Sequence, residues 1–150
     1  EQKAKIEELY RQIEELKNVE IEEDGVWKPI YGDNYWYIDS FCNTKISNWE
    51  NDNFDYKRLS FGNVFRKEEE AEFKVERLKV ITELKNFSCM FRKGKLNYYI
   101  SLNSNTNELL TTLSDIYMRF DFYFESYEKA NEAIEAVGEE RIKKYIFGVE

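Results

Sequence analysis

The chain has 150 residues, a net charge of −8, 42% apolar residues and 17% aromatic residues. This acidity works against nucleic-acid binding, since phosphate contacts need Lys or Arg, so direct binding of nucleic acid is not expected. With no histidine, no CxxC and no bilayer-length apolar run, the sequence excludes a membrane-spanning helix, a zinc finger and histidine-based catalysis.

At this length the chain reads as one domain with an appendage, or as two very small units. Its single proline and six glycines argue against long disordered linkers. No signal-peptide pattern opens the chain, and a first residue that is not Met is consistent with residues missing upstream. Cys42 and Cys89 fit a reducing cytosol and are expected as ordinary core residues, not a disulfide framework. No spacing singles out a pair of carboxylates for acid–base work, so no enzymatic activity and no cofactor or metal are expected. The acidity suits solubility or a partner with a basic surface.

Residues 1–20 carry Ile6, Leu9, Ile13 and Leu16 at 3-4-3 spacing, and nearly all the rest are good helix formers. A stripe this narrow is a coiled-coil seam, with Ile at both a positions and Leu at both d positions, a placement that favours parallel dimers. Two heptads are marginal alone in water, so the helix needs a partner. A homodimer through these four residues is expected. The alternatives are docking on its own domain or on another protein.

"VEIEEDGV" ends this pattern, with Asp24-Gly25 as a turn. Pro29 breaks any helix, Gly32-Asp33-Asn34 is a turn, and a strand starts at Tyr35. "TKISNW" is a second strand and "NWENDNFD" a polar loop. Asn51, Asp52, Asn53 and Asp55 tempt a calcium reading, but the Gly and distal Glu of a calcium loop are missing, so a solvated turn is expected. "YKRLSFGNVF" reads as a third strand, kinked at Gly62-Asn63.

Lys67 to Phe87 form a long helix. Ala71, Val75, Leu78, Ile81 and Leu84 make one apolar stripe, and Phe73, Val80 and Phe87 widen it, so burial across a sheet is expected. Glu68, Glu69, Glu70 and Glu72 crowd the first turns, where the helix dipole favours negative charge, which explains them without a metal. After the basic turn "FRKGKLN" come strands "YYISL", "ELLTTL" and "IYMRFDFYF". A helix over Tyr127–Val137 follows, with Ser126 as N-cap and Gly138 as its stop, and then a last helical turn in "EERIKKYIFGVE".

The halves match in outline. Phe65 to Ala71 aligns with Phe124 to Ala130, and Ile38 aligned with Ile100 sets Trp36 opposite Tyr98. The expected fold class is therefore α+β: an N-terminal coiled-coil helix (1–20) followed by two repeated β-β-β-α units with antiparallel sheet (26–88 and 94–150). By this alignment Trp36 and Ile38 point inward, and Tyr35 and Tyr37 point outward. With Asp33 and Asp39 they would form an aromatic, acidic partner-binding patch, unless the N-terminal helix or the other repeat covers it. Stacking tyrosines beside Arg92, Lys93 and Lys95 would instead suit a single-stranded nucleic acid.

"WKPIYGDNYWYID", "WENDNFDYKRLSFGNVFRKEEEAEF" and the closing "GEERIKKYIFGVE" resemble a family of small phage and prophage proteins of low-GC Gram-positive bacteria. The resemblance covers most of the chain from Trp27 on. Lys67 stands where those proteins carry a Ser or Thr cap, and Phe41-Cys42 where a glycine-containing turn is common. The resemblance implies a phage protein in the cytoplasm of the bacterial host, and it brings no catalytic residues. Small acidic phage proteins without catalytic residues often act by binding and blocking a bacterial protein, CRISPR effectors among them. An anti-CRISPR that occupies a basic nucleic-acid channel is the function this implies. An oligomeric accessory or virion-associated structural protein is the alternative.

Overall fold

The computed structural model describes residues 2–20, 27–117 and 122–149, with the side chains of the N-terminal helix described from 3 to 13. Among these the fold is α+β, with five α-helices and two antiparallel two-stranded sheets. The chain divides into two compact units, Glu1–Ala71 and Glu72–Glu150.

The first unit holds α1 (Gln2–Glu20), β1 (Asn34–Ile38), β2 (Thr44–Asn48), α2 (Asn53–Ser60) and the start of α3 (Glu68–Lys85). Every described side chain of α1, from Lys3 to Ile13, is exposed. The expected turn at Asp24-Gly25 lies outside the described residues. β1 and β2 pair antiparallel with Trp36 opposite Ile46. Their turn is built by the Asp39 carboxylate, which accepts from the N–H groups of Phe41 (2.8 Å) and Asn43 (2.9 Å). Cys42 takes the left-handed conformation in this turn (φ 63°) and is exposed, not part of the core as expected.

The expected third strand is a helix. Asp52 accepts from the Asp55 N–H at 2.8 Å and Asp55 returns the bond to the Asp52 N–H at 3.2 Å, a capping box that starts α2. Gly62, at φ 68°, turns the chain after α2. Only then does an extended contact form, where Phe65 exchanges both backbone hydrogen bonds with Trp36 (2.8 and 2.9 Å). Beside it the Asn63 side-chain amide pairs with both the N–H and the carbonyl of Ile38, each at 2.8 Å. A side chain thus does at Ile38 what a third strand would do, and the sheet stays two-stranded.

The second unit holds the rest of α3, β3 (Asn97–Asn103), β4 (Glu108–Ser114), α4 (Tyr127–Val137) and α5 (Glu139–Ile142). α5 runs into a π-helical stretch, Lys143–Phe147, that Gly148 closes at φ 70°. β3 and β4 pair antiparallel with Ile100 opposite Thr111. Among the described residues the expected third strand over 116–124 is seen as bridges from Tyr123 to Cys89 and from Phe124 to Tyr98, and residues 118–121 lie outside them. Ser126 caps α4 by accepting from the Lys129 N–H at 3.1 Å, and Gly138 follows its last residue.

Val80, Leu84, Phe124, Ala130, Ala133, Val137 and Ile142 form this unit's core, with Tyr98, Ile100 and Leu109 packed against it. Tyr98 and Ile100 therefore face inward, as the alternation predicts. The bidentate Arg141–Glu83 pair, at 2.8 and 2.9 Å, ties α5 to α3 at the surface. The apolar sector of α3 is narrower in burial than its composition suggests. Ala71, Val80 and Leu84 are buried, but Phe73 and Leu78 are exposed. At the start of α3 the Glu70 carboxylate accepts from the N–H groups of Arg66 and Lys67, in place of a side-chain cap at Lys67.

Candidate functional site

The expected patch of Tyr35, Tyr37, Asp33 and Asp39 is organised differently from an open aromatic face. Tyr35 is fully buried, which corrects its expected outward position. Its hydroxyl donates to Asp55 Oδ1 at 2.7 Å and accepts from Arg58 Nη1 at 2.6 Å. Asp55, also buried, uses its second oxygen for the N–H groups of Glu50 (2.8 Å) and Asp52 (3.2 Å). Asp55 and Arg58 are one helical turn apart on α2, so both reach the same hydroxyl. Trp49, likewise buried, meets Tyr35 edge-on at 5.7 Å, and its indole N–H donates to Asn51 Oδ1 at 2.7 Å.

The electrostatics follow from this network. Burial raises the pKa of Tyr35, and the hydrogen bond to Asp55 raises it further. Burial pushes Asp55 upward as well, but the Tyr35 hydroxyl, two backbone N–H groups and Arg58 outweigh it and hold the carboxyl below its ordinary value. A buried carboxylate with three hydrogen-bond donors is a satisfied structural group. The network therefore closes on itself and fixes β1 against α2.

What remains near the surface is Tyr37, half-buried, with the Arg58 guanidinium carbon 3.7 Å from its ring centre. This is a cation–π stack that holds the ring in place. Asp33 and Asp39 are half-buried and shape turns: Asp33 accepts from the Ile30 N–H at 2.9 Å, and Asp39 holds the β1–β2 turn. The backbone hydrogen bonds at Asn43 and Phe41 outweigh desolvation and keep Asp39 below the usual carboxylate range. That turn presents Phe41, 82% exposed, which stands in the sequence only as a departure from a glycine-containing turn and not as a contact residue. Its signal was present, in an Asp two positions before an apolar residue within a short hairpin turn. Asp55 and Arg58 were missed because Asp55 reads as part of a solvated turn and Arg58 as part of a strand, whereas D-x-x-D at 52–55 is capping-box spacing.

Of the dimerisation residues, Ile6, Leu9 and Ile13 lie exposed on α1, and the side chain of Leu16 lies outside the described residues. In the second unit the basic turn is rigidly made. Buried Asn97 accepts from the Arg92 N–H (2.8 Å) and donates to the carbonyls of Arg92 (3.0 Å) and Lys95 (2.9 Å). The Arg92 guanidinium donates to the carbonyls of Leu96 and Glu125, so it serves the turn, while Lys93 and Lys95 are exposed.

Among the described residues no three His, Cys, Asp or Glu side chains gather in a metal-binding geometry, and no helix is long and apolar enough to cross a membrane. No family model, curated protein or solved structure matches the chain.

Proposed function

We propose that the chain is a phage-encoded, non-enzymatic inhibitor that binds and blocks a bacterial defence protein in the host cytoplasm, acting as a homodimer through α1. The observation that carries this reading is where the charge sits. Residues 1–71 hold 17 acidic and 10 basic residues, a net −7, of which residues 1–26 carry −5 (9 acidic, 4 basic) and residues 27–71 carry −2 (8 and 6), whereas residues 72–150 hold 13 and 12, a net −1. The same unit exposes Phe41, Phe54 and Phe61, as the second exposes Tyr117 and Tyr127. Exposed aromatics supply contact area, and the negative field draws a partner lined with Lys and Arg, such as the nucleic-acid channel of a CRISPR effector. In this reading Tyr37, Asp33 and Asp39 border the contact, and buried Tyr35 holds the Arg58 that stacks on Tyr37.

The resemblance to small phage proteins over most of the chain from Trp27 on supports the same reading. A repeated design over 26–88 and 94–150 is favoured by the backbone bridges Trp36–Phe65 and Tyr98–Phe124, which fall at matching positions of the alignment. The exposed stripe of α1 equally favours a second reading, an oligomeric phage structural protein, which calls for assemblies larger than a dimer. A stacking platform for single-stranded nucleic acid is disfavoured, because Tyr35 is buried and Arg92 is held by carbonyls.

The test is a plating assay. The chain is expressed in a host whose CRISPR interference blocks a targeted phage, and plaques are counted. The inhibitor reading predicts that plating recovers by orders of magnitude. Unchanged plating contradicts it.

A further inference from the structure

α1 has 19 residues, and from Lys3 to Ile13 its described side chains are exposed on every face. Docking on its own unit does not cover the stripe, because Ile6, Leu9 and Ile13 each remain about half exposed (53%, 52% and 48%). An isolated helix of this length is marginal in water, so the fold leaves the seam to a second chain. The residues flanking the seam decide which chain and which way round. With Ile6 and Ile13 at a and Leu9 and Leu16 at d, the e positions are Lys3, Tyr10 and Lys17, and the g positions are Lys5 and Gln12. The glutamates at 7, 8, 14 and 15 fall at b and c, on the outer face.

In a parallel pair, g of one helix faces the following e of the other. Lys5 then meets Tyr10 and Gln12 meets Lys17, with no like charges opposed and a cation beside an aromatic ring. In an antiparallel pair layered Ile6 on Leu16 and Leu9 on Ile13, e faces e, and Lys3 meets Lys17 at both ends. Two like-charge contacts beside a two-heptad seam weigh against that orientation.

We infer that α1 pairs in parallel and in register with α1 of a second copy of this chain, an inference that rests on the dimeric form of the inhibitor proposed above. The net −5 of residues 1–26 is then doubled along one seam, and residues 27–71 of both chains follow from its same end, so a basic partner meets two copies in tandem and gains by avidity.

Two measurements on the full chain test this. In sedimentation equilibrium the intact chain is expected at the mass of two 18.2 kDa chains, and the variant Leu9→Asp, Ile13→Asp at the mass of one. Because these positions are exposed, circular dichroism of the variant should keep the signal of the two units. In a Cys42→Ser, Cys89→Ser background, Ile6→Cys is expected to form a disulfide dimer with itself on mild oxidation. A mixture of Ile6→Cys and Leu16→Cys chains should give no mixed dimer. An intact chain that stays monomeric at all concentrations overturns the pairing, and a dominant mixed disulfide overturns its direction. A parallel dimer that fails to restore phage plating leaves the seam standing and removes the inhibitor reading. A monomer that restores plating removes the seam alone.

Discussion

At the scale of single residues, the Tyr35 hydroxyl is the point where β1 and α2 are joined. Tyr35→Phe keeps the ring and its packing against Trp49 but removes one donor from Asp55 and the acceptor for Arg58. Leaving a buried carboxylate short of a partner costs about 1–3 kcal/mol, so the urea midpoint of the variant should fall accordingly. An unchanged midpoint would mean that the network adds nothing to stability. Asp55 also makes stability depend on pH. Its folded carboxyl ionises below its ordinary value of 3.8. Its contribution is therefore present above about pH 4, the range of an unfolded Asp, and is lost as pH falls through the lower folded value. Thermal midpoints taken from pH 6 to pH 3 should drop more steeply in the intact chain than in Asp55→Asn. Parallel profiles would assign the acid sensitivity to other carboxylates.

At the scale of elements, the instructive case is residues 53–60. Tyr56, Leu59 and Phe61 look like strand residues, and a strand reading gives the first unit three strands. The local capping chemistry wins because Asp52 and Asp55 satisfy two N–H groups that would otherwise be orphaned, and because helical spacing brings Asp55 and Arg58 together onto Tyr35. Asp52→Ala should cost about 1 kcal/mol, the usual worth of an N-cap, read as a lower unfolding midpoint. The elements whose signals are local were legible in the sequence: the periodic α3, and α4 between Ser126 and Gly138. The faces of β1 were not legible, since Tyr-Trp-Tyr fits either orientation by composition alone. What settles them is the pairing of Tyr35 with residues twenty and more positions away, a contact that no local pattern encodes. Asn63 is similar, because nothing near it announces that its amide will complete the edge of β1 at Ile38.

At the scale of the whole molecule, the sequence shows the total charge at once but not its partition, which depends on where the chain divides. That partition gives the proposed inhibitor its mode of action. Binding to a basic partner should weaken steeply with salt, because surface charges lose their reach as the Debye length shrinks from about 10 Å at 0.1 M to about 3 Å at 1 M. Calorimetry at several salt concentrations would record it, and a salt-independent affinity would point to apolar contacts such as Phe41. The most direct test of the central claim is a titration of a purified CRISPR effector nuclease with the intact chain, following cleavage of target DNA. The inhibitor account predicts that cleavage falls in proportion to added chain and ends at a fixed stoichiometric ratio near one protomer or one dimer per effector. Cleavage that continues undiminished through a large molar excess would contradict it.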